Sequence, residues 1–149
     1  MTRMNENTVA KGLAHVLADS YTLMIKTHNY HWNVEGPHFK MLHELFEEQY
    51  TDLFTAVDDI AERIRALGEK APGSHAEFLE LSALKDGDSG KDANSMVEEL
   101  VADNETLADR AHKVTETAAK SGDKATEDML IGRIMIHQKA VWMMRSSLR

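Results

Sequence analysis

The chain has 149 residues and a formal net charge of -8 at pH 7. That is enough length for one domain with its own core, and the wrong sign for a surface built to neutralise phosphates. Apolar residues make up 42%, which excludes a disordered chain, and 6% aromatics with two prolines favour helix over sheet. Cysteine is absent, so disulfides, zinc–thiolate sites and iron–sulfur clusters are excluded. The N-terminus carries no apolar export segment, and no apolar run reaches the roughly 18 residues of a membrane span. The expected product is a soluble cytoplasmic protein with no membrane partner.

From about Thr8 to Asn33, apolar residues recur at Leu13, Val16, Leu17, Tyr21 and Met24. Steps of three and four predict an amphipathic helix, preceded by a short tail of about residues 1–7. His28 and His31 continue that stripe. His15 lies opposite, with Lys11, Asp19 and Lys26, and reads as solvated. Gly36-Pro37 breaks the helix. A second helix is expected from about His38 to Leu67, with Leu42, Phe46, Leu53, Val57, Ile60 and Ile64 on one side. Residues 69–91 form a long connection in which Phe78, Leu79, Leu81 and Leu84 suggest a short helix with an apolar side. A third long helix runs from about Asp92 to Lys120, with Met96, Val97, Leu100, Leu107, Ala111 and Val114 facing inward. Ser121-Gly122-Asp123 reads as a stop followed by a cap. The fourth long helix runs to about Leu148, with Leu130, Ile134, His137, Val141, Met144 and Leu148 on its apolar side.

The connections are short, long and short. The short ones pair neighbouring helices antiparallel, and the long one crosses the bundle, leaving the second and third long helices parallel. The fold class is all-α, a ferritin-like four-helix bundle whose long crossover carries a short extra helix, in one domain over residues 1–149.

The chemistry concentrates in residues 29–67. On the second helix His43 and Glu47 are four apart, and so are Asp58 and Glu62, so each pair shares a side. All four lie on a stripe about 120° from the apolar one. Imidazole and carboxylate donors together suit a metal that accepts nitrogen and oxygen ligands. A di-iron site inside the bundle needs Glu-x-x-His pairs on two helices. The third and fourth long helices have none, and Glu35-x-x-His38 spans the Gly-Pro break. Reach then decides the arrangement. His43 and Asp58 are 15 residues apart on one helix, about 22 Å along its axis, so they cannot share a metal within one chain. His31, across the tight turn, comes near His43. Each chain therefore offers a histidine half (His31, His43, Glu47) and a carboxylate half (Asp58, Glu62). A two-fold dimer with these helices antiparallel would set each half against the other, giving two identical sites.

Other candidates read as structural. His137 sits among aliphatics as a hydrogen-bonded core residue. His28 reads as core or as support for the ligands, and His38, His75 and His112 as surface. Tyr30, Tyr50 and Trp142 read as packing, and the nine methionines mostly as core filler.

The string His31-Trp32-Asn33-Val34-x-Gly36-Pro37-x-Phe39, then Leu42-His43-x-x-Phe46, then Asp58-x-x-Ala61-Glu62-Arg63, resembles the Dps family. These are the mini-ferritins, named as DNA-binding proteins from starved cells. The resemblance implies a hollow homo-dodecamer with ferroxidase sites between subunits. It implies oxidation of Fe(II), preferably by hydrogen peroxide, storage of Fe(III) mineral and protection from oxidative stress. Carried over by position, His31 and His43 are iron ligands from one subunit, and Asp58 and Glu62 from its two-fold partner. Glu47 stands where many members have aspartate. Trp32 resembles the family's tryptophan that gives up an electron to trapped oxidant. Asp123 and Asp128 fall where the family lines its three-fold pore for iron.

The family name also raises DNA compaction as a competing function. A flexible lysine-rich tail should carry it, yet the first eleven residues hold only Arg3 and Lys11 against Glu6. Weak or absent DNA binding is expected. In a mobility-shift assay at moderate salt plasmid should run free, and tight retention would contradict this reading.

Overall fold

The computed structural model describes the backbone of residues 2–148 and the side chains of residues 8–148. The side chains of the segment read as a tail, Arg3 and Glu6 included, and Arg149 lie outside the described residues. Among those described there are five helices and no strand: α1 (Thr2–Asn33), α2 (Phe39–Ala66), α3 (His75–Leu81), α4 (Ala93–Lys120) and α5 (Lys124–Ser147). The first helix thus starts at Thr2 rather than near Thr8.

Local chemistry explains the boundaries. Gly36 has φ +122°, a region open to glycine, and Pro37 follows it, so α1 stops and the chain reverses into α2. Ser74 caps α3 through a reciprocal box with Glu77. Asp92 accepts the Ser95 N–H at the start of α4, and Asp123 accepts the Thr126 N–H at the start of α5.

Every member of the expected apolar stripe of α2, and of that of α4, is buried. α1 and α4 approach closely at Gly12, where a Cβ would come within 2.8 Å of the Val114 side chain. Side-chain pairs fix the directions. Asp19 meets Arg110 and Lys26 meets Asp103, so α1 and α4 are antiparallel. Asp52 meets Arg133 and Arg63 meets Asp123, so α2 and α5 are antiparallel. With a tight turn between α4 and α5, α2 and α4 run parallel, as the long crossover requires.

The reading of His15 as solvated holds, but two surface features differ from what the sequence pattern suggests. The side of α1 that carries His15 is not solvated throughout. His15 is exposed, with Nδ1 3.1 Å from the Leu81 carbonyl, but Asp19 is 0% exposed and Lys26 3%. The crossover and α4 cover them. Asp19 accepts hydrogen bonds from the Ser82 hydroxyl (2.9 Å) and the Ala83 N–H (2.8 Å), and pairs with Arg110 at 3.0 Å. Lys26 Nζ lies 2.8 Å from both Glu99 and Asp103. The Tyr30 hydroxyl donates to Glu99 and accepts from the Asp88 N–H. Burial would raise Glu99, but hydrogen bonds from Lys26, Lys91 and Tyr30 pull it down to about 2. Burial pushes Asp19 up, against the Ala83 hydrogen bond and the Arg110 charge. The second correction is Leu79, which is 76% exposed. The short α3 fully buries only Phe78, which stacks on Tyr21, and packs Leu81 partly against the core.

These buried polar clips hold the crossover to α1. Replacing Asp19 by alanine leaves the Ser82 and Ala83 donors and the Arg110 charge without their acceptor. The expected cost is about 1–3 kcal/mol, measured as a lowered urea midpoint, with faster proteolysis within residues 82–91.

Candidate metal centre

The turn through Gly36 folds the start of α2 back onto the end of α1. There His31 and His43 lock to each other. His31 Nδ1 lies 2.6 Å from the His43 carbonyl, and His43 Nδ1 lies 2.6 Å from the His31 carbonyl. A carbonyl only accepts, so both Nδ1 atoms carry protons and donate. In the neutral rings each Nε2 then keeps its lone pair, the form a metal ligand needs. The rings stack with centroids 3.8 Å apart and 14° between planes. His31 is buried and His43 half-buried. Glu47, one turn along α2, is exposed, with a carboxylate oxygen 3.9 Å from His31 Nε2.

Aromatic rings back this end. His28 packs against Trp32 at 3.8 Å and against Tyr50 at 4.3 Å between centroids, and Tyr50 sets its edge on His31 at 5.1 Å. Burial and the neighbouring His31 lower the pKa of His28. Trp32 is 62% exposed.

The carboxylate half stands further along the same helix. Asp58, Asp59 and Glu62 each offer an oxygen, all within 4.8 Å of one another, and all three residues are exposed. Asp59 was not among the sequence candidates. Its adjacency to Asp58 and three-residue offset from Glu62 are the signal that marks it. α2 is unbroken between the halves, so the histidine and carboxylate ends stay about 22 Å apart. The structure therefore brings His31, His43 and Glu47 together, and separately Asp58 and Glu62. It does not join the two groups within one chain.

Asp123 and Asp128 differ in their surroundings. Asp123 sits at 2.8 Å from Arg63 and accepts from the Thr126 N–H and hydroxyl. Partial burial opposes ionisation, but these Thr126 and Arg63 contacts prevail and lower its pKa. Asp128 is exposed on α5.

Residues 10–149 match the ferritin-like domain family. Over 132 residues the chain is 42% identical to DNA protection during starvation protein 2 of Bacillus anthracis, covering 89% of this chain and 90% of that one. The chain belongs to the Dps family. The crystal structure of a Dps protein from Bacillus brevis superposes with a TM-score of 0.95 at 35% identity, over 98% of each chain. That of a Vibrio cholerae O1 Dps protein, a member of a broad superfamily of ferritin-like diiron-carboxylate proteins, gives a TM-score of 0.94 at 31% identity, over 99% of this chain and 92% of that one. Membership supports a general role in iron storage and protection.

The interior of this Dps-family bundle is occupied by other chemistry. His137, 2% exposed, has Nδ1 2.8 Å from the Asn104 side-chain oxygen, and Arg133 donates to its Nε2 at 3.2 Å. Arg133 in turn pairs with Asp52. Burial, then the Arg133 charge, lowers His137 to about 3, so it is neutral at pH 7. The core histidine is therefore hydrogen-bonded as expected, and a guanidinium beside it disfavours a cation inside the bundle. No helix among the described residues is long and apolar enough to cross a membrane.

Proposed function

We propose that this Dps-family chain is the subunit of an iron-oxidising and iron-storing cage, with its ferroxidase sites split across a two-fold interface. The split of the donors along α2 carries this reading. His31, His43 and Glu47 from one chain, facing Asp58 and Glu62 from its partner, complete a nitrogen–oxygen shell for Fe(II) as substrate. Asp59 stands within reach of the same carboxylate half. Phe54 supports the geometry. It is 68% exposed and lies between the halves on the ligand side of α2, close to where a two-fold axis would relate them. Exposed Ile131, Met135 and Trp142 give α5 further apolar surface for assembly. The extent of assembly read from the family is a dodecamer, in the cytoplasm.

The chemistry follows from the donors. Carboxylate and imidazole favour Fe(III) over Fe(II) and ease loss of an electron. Hydrogen peroxide takes one electron from each of two Fe(II) ions, gains two protons and becomes two waters. Pairing the electrons avoids hydroxyl radical, and Fe(III) passes to mineral inside the cage. Trp32, beside His31, is the reserve electron donor. Exposed Asp128 at the start of α5 serves a pore for iron, with Asp123 held at its mouth by Arg63. An acidic chain attracts cations to such a pore. The net charge of -8 disfavours DNA compaction as the main role.

Stopped-flow absorbance after anaerobic Fe(II) loading tests the reading. Peroxide should oxidise iron fast and oxygen slowly. The double variant His31→Ala/His43→Ala should assemble but lose more than about 100-fold in rate, beyond the 10–100-fold that accompanies loss of an outer partner. Equal rates in the two proteins would overturn the site assignment.

A further inference from the structure

A cleft of about 280 Å³ opens between α2 and α5, on the side of α2 away from the metal centre. Asp52, which lines it, follows His43 by nine residues. That is about two and a half turns, so the two side chains leave the helix in opposite directions. The cleft reaches the middle of the bundle. Leu23 and Thr27 of α1, Asn104 of α4 and His137 of α5 form its floor, each 4% exposed or less. Leu45, Leu53, Ala140 and Met143 give it apolar walls. A concave site with apolar walls and a few fixed polar groups suits a small organic molecule.

The polar groups select the guest. His137 and Asn104 bond each other, Arg133 donates to His137 Nε2, and the Asn104 nitrogen donates to the Leu100 carbonyl. Gln49 differs. Its side-chain nitrogen is buried beside the cleft and makes no hydrogen bond with the described residues. A buried donor without an acceptor is costly, and a guest oxygen would relieve it. Asp52 stands one turn further along the same side of α2. Two guanidinium nitrogens of Arg133 hold its carboxylate, at 3.1 and 2.9 Å. A carboxylate so held keeps lone pairs for another donor. Charge narrows the choice further. Glu48 and Asp52 are balanced by Lys139 and Arg133, so a charged guest would lie between apolar walls without a counter-charge.

We propose that this cleft is a binding site for a neutral monocyclic phenol. The ring lies between the apolar walls. The hydroxyl accepts from the Gln49 amide and donates to the Asp52 carboxylate, a pair of roles that one hydroxyl fills. No bond is made or broken and no metal takes part, so the site stands independently of the ferroxidase reading.

Fluorine-19 NMR of 4-fluorophenol with the iron-free assembled protein tests the site. The resonance should shift and broaden, saturating at one guest per chain. Fluorobenzene, which lacks the hydroxyl, should bind weaker by about tenfold or more, and charged 4-fluorobenzoate should not compete. Ala140→Trp fills the cleft and should abolish binding, and Gln49→Leu should weaken it roughly tenfold. The phenol binds the folded bundle, so it should raise Tm in the parent and not in Ala140→Trp. Size-exclusion chromatography checks that each variant assembles, and the order of the three ligands in the parent decides where one does not. No binding of 4-fluorophenol to the parent at millimolar concentration would overturn the proposal. So would undiminished binding to assembled Ala140→Trp or Gln49→Leu, or 4-fluorobenzoate binding as tightly as the phenol.

Discussion

Helix α2 is unbroken from Phe39 to Ala66, and a helix advances a fixed 1.5 Å per residue. No side-chain rotation shortens the distance of about 22 Å between His43 and Asp58 that this rise imposes. Two donor sets with complementary chemistry thus sit on one side of one rigid rod, too far apart to meet. Only a second copy running the opposite way brings them together, and a two-fold operation does so twice. On the proposed reading, assembly and activity follow from one constraint, because a single chain would hold only halves of sites.

The remainder of the bundle keeps that rod and its histidine end in place. His31 and His43 come from different helices, and their mutual hydrogen bonds tie the end of α1 to the start of α2. The same bonds choose the tautomer in which both neutral rings can bind metal. On the far side of α1, the Asp19 and Lys26 clips fasten the crossover and α4, so α1 is held from both sides. Within the bundle, Arg133, His137 and Asn104 fill the space with a hydrogen-bonded network. That network disfavours a cation inside the bundle, in keeping with the metal centre proposed on the outer stripe of α2.

Much of this was legible in the sequence. The apolar periods of α2 and α4 named core residues that are buried, and the short–long–short connections gave the topology. The separation of His43 from Asp58 needed only the helix rise. What the sequence hid was long-range polar pairing. Asp19 and Lys26 look like solvated residues until residues 82–83 and α4 are laid over them, and no local pattern reveals that Ser82 or Glu99 will be their partners. Leu79 misled because a seven-residue helix has room to bury only one side. Asp59 was passed over because the four-residue step to Glu62 singled out Asp58. Tyr50 and His28 are on different helices, so their stacking appears only once the turn at Gly36 is closed.

Mixed cages test the central claim most directly. His43→Ala chains lack the histidine half and Asp58→Ala chains the carboxylate half, so each alone should be inactive. In a mixed pair one site loses both halves and the other keeps both. Random pairing of equal amounts should therefore restore about one site in four, read as recovered peroxide-driven Fe(II) oxidation. Recovery near that level is the predicted result. No activity in assembled mixed cages would contradict a site shared between two chains.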